Sequence, residues 1–209
     1  MELLIRHARI VDCCQDFLGD VYIDNGIIST IGENLDIDCR TIDARGLVLM
    51  PSLVDLHVHF RDPGFTDKED IESGCRAAVR GGYTMVNLMA NTNPPCSNMK
   101  IVDYVLKKIK KLGLVDAHQC ATITNNFDGR DISHLDRLGE EVKIISEDGK
   151  DVMDGKVMVK AMMKARNLGK IVMCHSEEES LSDIDMRLAE NIMTWRNIAF
   201  SEFTGCPVH

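Results

Sequence analysis

From residue 47 onward the chain repeats one pattern: a short apolar run, a polar turn, then a helical stretch. The runs lie at 47–54, 83–90, 116–123, 141–145 and 170–174, and residues 205–209 open another. Hydrophobic periodicity predicts helices between them. The first is expected from a Thr66-Asp67-Lys68-Glu69 capping box to about Arg80, where Gly81-Gly82 stop it. The others are expected over 99–112, 155–167 and 185–203. Strands alternating with helices imply βαβ units and a parallel sheet, an α/β architecture.

Residues 1–46 read differently. Short alternating strands and an Asn25-Gly26 turn of the type I′ kind predict a small β-sandwich module with nothing catalytic in it. The expected organisation is therefore that module followed by about five βα units over 47–209.

Composition narrows the partners. Asp and Glu outnumber Lys and Arg by 33 to 24, an acidic balance that disfavours nucleic acid and anionic lipid. No apolar run is long enough to span a bilayer, and Met1-Glu2 lacks the basic start of a signal peptide. The cysteines (Cys13, Cys14, Cys39, Cys75, Cys96, Cys120, Cys174 and Cys206) contain no Cys-x-x-Cys pair. They read as reduced, mostly buried thiols of a cytoplasmic protein.

Chemistry-bearing residues fall where the strands end. The first strand runs into Asp55-Leu56-His57-Val58-His59-Phe60-Arg61-Asp62-Pro63-Gly64. Alternation puts His57, His59 and, if the chain stays extended, Arg61 on one face. Asn91 ends the second strand, Asp148 the fourth and His175 the fifth. In open α/β sheets and (β/α)8 barrels, ligands collect at that edge because the βα loops converge there. Three histidines and a carboxylate suit zinc, with the carboxylate able to bridge two ions. Such a site is apt for hydrolysis, since two metals activate water and polarise a carbonyl. Arg61 and Asn91 can orient a substrate carboxylate. Cys174 points to the opposite face from His175, and His7, His118 and His134 read as structural or surface residues.

Four motifs in order, Asp55 to Gly64, Met89-Ala90-Asn91-Thr92-Asn93-Pro94, Ser146-Glu147-Asp148-Gly149 and Cys174-His175-Ser176-Glu177, closely resemble the bacterial dihydroorotases of the amidohydrolase superfamily. The resemblance implies a TIM (β/α)8-barrel metal-dependent hydrolase, incomplete in this chain. It would interconvert dihydroorotate and N-carbamoyl-L-aspartate in pyrimidine synthesis through a metal-bridged hydroxide. It also implies two Zn2+ per subunit, with His57 and His59 on one, His175 on the other and Asp148 bridging. Arg61 and Asn91 would hold the substrate carboxylate. The implied partners are a small-molecule substrate and either further copies of the chain or a remainder that completes the barrel.

Pro51-Ser52 replaces the family's Pro-Gly, and Glu147-Asp148-Gly149 its Asp-Asp-Gly, which leaves Glu147 as a solvated neighbour. His209 matches the first histidine of the family's sixth-strand His-x-x-His, so the second histidine and the later general-base Asp are not among these residues. Residues 1–209 alone are expected to hydrolyse dihydroorotate poorly or not at all. A hydantoinase or allantoinase is the nearest alternative, although those tend to use a carboxylated Lys and lack an Arg at the position of Arg61. A non-catalytic dihydroorotase-like subunit that binds a partner enzyme is another.

Overall fold

The structure, a computed structural model, describes residues 1–209 as two compact units, Met1–Ser52 and Leu53–His209. The first holds β1 (Glu2–Val11), β2 (Asp16–Asp24), β3 (Ile27–Gly32), β4 (Arg40–Asp43) and β5 (Val48–Leu49). These form one five-stranded sheet in the order β3-β2-β1-β4, with β5 also paired to β1, so the expected sandwich is a single mixed sheet. Asn25 and Gly26, at φ 49° and 81°, make the tight β2–β3 turn their sequence predicts. Ala8, Ile10, Val21 and Ala44 form its small core.

Residues 47–54 are not one buried strand. Val48 and Leu49 pair with Arg9 and Ile10 in the first unit, and a new strand, β6 (Leu53–Val58), opens the second. β6 is exposed along much of its length, with Leu53, Val54 and Leu56 between 43% and 49% accessible, because it pairs with a neighbour on one edge only.

The second unit continues with α1 (Ile71–Arg80), β7 (Tyr83–Leu88), α2 (Met99–Leu112), β8 (Asp116–Gln119) and β9 (Ala121–Thr122). β10 (Ile144–Ser146), α3 (Gly155–Asn167), β11 (Ile171–Met173) and α4 (Met186–Thr204) follow. The predicted third strand is broken at Cys120, whose N–H donates to Leu88 O at 2.9 Å. Its first half pairs with β7 and its second with β10, which leaves two three-stranded parallel sheets. Val208 then bridges Val172 in parallel, beginning a sixth strand position beside β11. Within the second unit, strand order thus follows chain order. A doubly wound sheet reverses direction at a switch point; a barrel does not.

α1 starts later than the Thr66–Glu69 box predicts. Asp70 is the N-cap and accepts from Ser73 N at 2.7 Å, while the Asp70 N–H donates to Ser73 Oγ at 3.2 Å. Asp caps as well as Thr and here stands directly before buried Ile71, so the cap falls where burial begins. Glu69 instead accepts from Ser73 Oγ. The other helices start at Asn98, Asp154 and Asp185, each accepting from a first-turn N–H, and α2 and α4 end on left-handed Gly113 and Gly205. Gly74 on α1 lies so close to Phe60 that a Cβ would meet its ring at 2.4 Å, which draws the helix against the segment carrying the first site residues.

Candidate metal centre

The end of β6 carries His57, and the loops after β6, β7, β10 and β11 carry His59, Asn91, Asp148 and His175 to the same edge, where the carboxylate of Asp148 is their centre. Its Oδ1 lies 3.2 Å from His57 Nε2 and 3.5 Å from His175 Nδ1. Its Oδ2 lies 3.5 Å from His59 Nε2 and accepts from Asn91 Nδ2 at 2.6 Å. Asp148 is buried, while the three imidazoles keep about a third or more of their surface in solvent.

Asn91 settles which way one imidazole presents itself. Its Nδ2 donates to Asp148, so its Oδ1 faces His59 Nδ1 at 2.9 Å and must accept from it. In a neutral His59 ring that contact would keep the proton on Nδ1 and turn the Nε2 lone pair toward a carboxylate oxygen, an arrangement that a cation can bridge. The donor atoms of His57, His59 and Asp148 all lie within 4.8 Å of one another, so these three fit a single nitrogen- and oxygen-ligated ion. His175 stands outside that triad and shares only Asp148 with it, which suits a second centre.

Burial pushes the Asp148 carboxyl up, but the hydrogen bond from His175 and the charges of His59, His57 and His175 outweigh it and hold the group below its ordinary value. The same hydrogen bond is the main reason His175 is pushed up to about 9; burial opposes it, and Glu177 adds to the rise. Glu177 Oε2 sits 3.0 Å from His175 Nε2, and its other oxygen accepts from Ser182 Oγ at 2.7 Å, fixing the ring from behind.

Arg61 does not continue the strand. β6 stops at Val58, and Arg61 has left-handed φ of 49°. Its Nη1 nevertheless reaches Asn91 O at 3.4 Å, so the guanidinium sits beside the cluster by a turn rather than by alternation. That turn is pinned on both sides. Buried Asp62 accepts from Tyr104 Oη at 3.0 Å and from Lys108 Nζ at 2.5 Å on α2. Gly64 packs so tightly that a Cβ there would lie 2.1 Å from Asn93 O.

Glu147 is not solvated. It is 2% exposed and accepts from Ile123 N and Thr124 N, both at 2.9 Å, and from Thr124 Oγ1. Alternation turns Asp148 toward the imidazoles and Glu147 toward the end of β9, where it ties two neighbouring strand ends together. A second support was not legible in the sequence. Asp151, just beyond Asp148, accepts from Arg196 Nη2 at 3.1 Å and from Asn197 Nδ2 at 3.4 Å. Asn197 Nδ2 also donates to Ser176 Oγ, next to His175, at 3.3 Å. Adjacent residues of α4 therefore hold the loops after β10 and β11 together.

Three of the remaining histidines have structural partners. His118 bridges Asn87 Oδ1 (2.5 Å) and Lys143 N (2.8 Å), buried His134 meets Thr122 O at 3.0 Å, and His7 sits 3.0 Å from Asp43.

Residues 46–190 match the Dihydro-orotase-like family. A dihydroorotase of Clostridium botulinum (strain Eklund 17B / Type B) is 47% identical over 212 residues, covering 100% of this chain and 53% of that protein. One from Aquifex aeolicus is 40% identical, covering 87% and 44%. The chain thus spans about half the length of the curated relatives it matches. In fold it is similar to an L-hydantoinase (dihydropyrimidinase) from Arthrobacter aurescens, with a TM-score of 0.85 at 18% identity over 99% of this chain and 51% of that one. A D-hydantoinase gives 0.79 at 21% identity over 100% and 51%. These neighbours are TIM-barrel hydrolases, and the chain shares that fold over about half of each. No helix is long and apolar enough to cross a membrane. With the family matched over more than two thirds of its residues and relatives of that name covering its whole length, the chain belongs to the dihydroorotase-like family.

Proposed function

We propose that this chain supplies the metal-binding half of a zinc-dependent cyclic amide hydrolase, a dihydroorotase that interconverts dihydroorotate and N-carbamoyl-L-aspartate in pyrimidine synthesis. The observation that carries the reading is the ring of three imidazoles about one carboxylate, at 3.2 to 3.5 Å. His57, His59 and Asp148 would hold one zinc, and His175 with Asp148 the other. Zinc bound there supplies a Lewis acid for the amide carbonyl and lowers the pKa of water near neutrality.

The chain's own residues do the positioning. Asn91 keeps the His59 proton on Nδ1, and Glu177 holds the plane of the His175 ring. Arg61 makes one long hydrogen bond and otherwise keeps its donors free, so it is the group suited to the substrate's carboxylate. Both ends of the Asn91 amide are already engaged, and we assign it to ligand orientation ahead of substrate binding. The further histidine and the proton-transfer carboxylate implied by the family would come from the remaining units of the barrel, as a continuation of the chain or as a partner.

The fold neighbours are hydantoinases at 18% to 21% identity, which speaks for the barrel and not for the substrate. Activity of the zinc-loaded, barrel-complete enzyme on dihydroorotate, hydantoin and allantoin tests the reading. Turnover of dihydroorotate that is lost in Arg61→Ala supports it; preference for hydantoin, unchanged by that substitution, overturns it.

A further inference from the structure

The expectation of mostly buried thiols holds for Cys75, Cys96, Cys120 and Cys206, and fails at two adjacent residues. Cys13 and Cys14 are exposed, free, and sit in the turn between β1 and β2. Along a strand, neighbouring side chains point to opposite faces, which would separate the two sulfurs. Here the turn gathers them: Cys13 Sγ and Cys14 Sγ are 3.5 Å apart.

The turn is built by Asp12. Its Oδ1 accepts from Cys14 N at 2.7 Å and Gln15 N at 2.8 Å, its Oδ2 from Gln15 Nε2 at 3.3 Å, and its N–H donates to Gln15 O at 2.9 Å. The dithiol is thus presented on a braced turn, and the bracing carboxylate is itself in reach. Donor atoms of Asp12, Cys13 and Cys14 all lie within 4.8 Å of one another.

We propose that Asp12, Cys13 and Cys14 form a second, independent cation site, selective for one thiophilic divalent ion of the zinc–cadmium class. Two sulfurs at the observed 3.5 Å, each about 2.3 Å from such an ion, subtend an angle of about 100° at it, near the tetrahedral value. The chelate forms without moving the turn. Binding replaces the two thiol protons, which leave to solvent, by two sulfur–metal bonds with no change in oxidation state. The Asp12 carboxylate adds a harder third ligand, favouring a borderline divalent ion over a monovalent soft one. Water can complete the coordination because all three residues are exposed. The nitrogen-rich cluster around Asp148 lies in the other unit and has no thiolate within its donor set.

Cadmium is the probe, because thiolate ligation gives a sulfur-to-metal charge-transfer band that histidine and carboxylate ligation do not. Titration of the whole 209-residue chain is expected to raise that band with one equivalent of thiolate-bound cadmium. Cys13→Ser and Cys14→Ser should each weaken this binding on the order of 10²-fold, since each removes the chelate. Asp12→Asn keeps an oxygen for the turn's N–H groups and should weaken it less. Far-ultraviolet dichroism checks that the sheet persists in every variant. A band that survives in the Cys13→Ser/Cys14→Ser double variant would overturn the site. So would single variants that each keep half the band at unchanged affinity, because the two thiols would then act separately.

Discussion

Asn91 Nδ2 donates to Asp148 Oδ2 at 2.6 Å, and through the other end of the same amide the loop after β7 fixes the tautomer of His59 on β6's loop. One side chain therefore aligns two ligands that come from different strands. Replacing it with Ala frees His59 to place its proton on either nitrogen and leaves Asp148 without its shortest hydrogen bond. Zinc affinity of Asn91→Ala is expected to fall about 10- to 100-fold, as for other groups that orient metal ligands. Competition against a chelator measures it. Unchanged zinc affinity with weakened dihydroorotate binding would return Asn91 to the substrate.

His175 gives the metal-free protein a pH signature. Its folded-state pKa, raised from 6.5 to about 9 chiefly by its hydrogen bond to Asp148, lies above the unfolded value. The stability it contributes is fully present below about pH 6.5 and is lost as pH rises through about 9. A metal needs the neutral ring, so zinc uptake at neutral pH must displace that proton. Apparent zinc affinity should climb with pH until about 9 and then level. Calorimetry in buffers of different ionisation enthalpy should count about one more proton released by the wild type than by His175→Ala.

How far the sequence carried the reading follows from the range of the forces involved. Strand ends, helix spans and ligand residues were legible because alternation, 3.6-residue periodicity and turn chemistry are local. α3 falls on its predicted span, and β10 and β11 end two residues before Asp148 and His175. Much of what was missed depends on burial or on partners far along the chain. The Thr66 box looked sufficient, yet Asp70 caps α1 because Ile71 is the first buried residue. Glu147 looked solvated because nothing nearby announces that Ile123 and Thr124 will point their N–H groups at it. Nor does any local signal mark Arg196 as the counter-charge of Asp151, 45 residues away. Cys13 and Cys14 converge only because Asp12 folds the turn.

Glu147 sets a second pH window, opposite in origin. Burial pushes its carboxyl up from 4.5 to about 7, although hydrogen bonds from Thr124 and Ile123 oppose the shift. Between those values the folded state binds the proton more tightly than the unfolded chain. Stability therefore falls as pH rises from about 4.5 to about 7 and is insensitive to this group above that. The loss is on the order of 3 kcal/mol at most. Glu147→Gln keeps an oxygen for the two N–H groups and cannot ionise, so its urea stability should lack this decline. Parallel pH profiles for the two proteins would refute the assignment.

The Asp151–Arg196 pair is the place where stability and site geometry can be separated. The Asp151 side chain is 1% exposed and Arg196 18%, so removing the guanidinium strands a buried carboxylate whose pKa burial already raises. Loss of one partner of such a pair costs about 3 to 5 kcal/mol, whereas removing both together is often close to neutral. Arg196→Met should accordingly lower the urea midpoint strongly, and the double variant Asp151→Asn/Arg196→Met should recover much of it. Asn197 keeps Ser176 beside His175 in both proteins. The double variant is therefore expected to regain stability while the loop carrying Asp148 loses its tether to α4. Its affinity for zinc should stay several-fold below wild type, measured by the same chelator competition. Full recovery of both quantities would mean that α4 stabilises the fold without aligning the metal ligands.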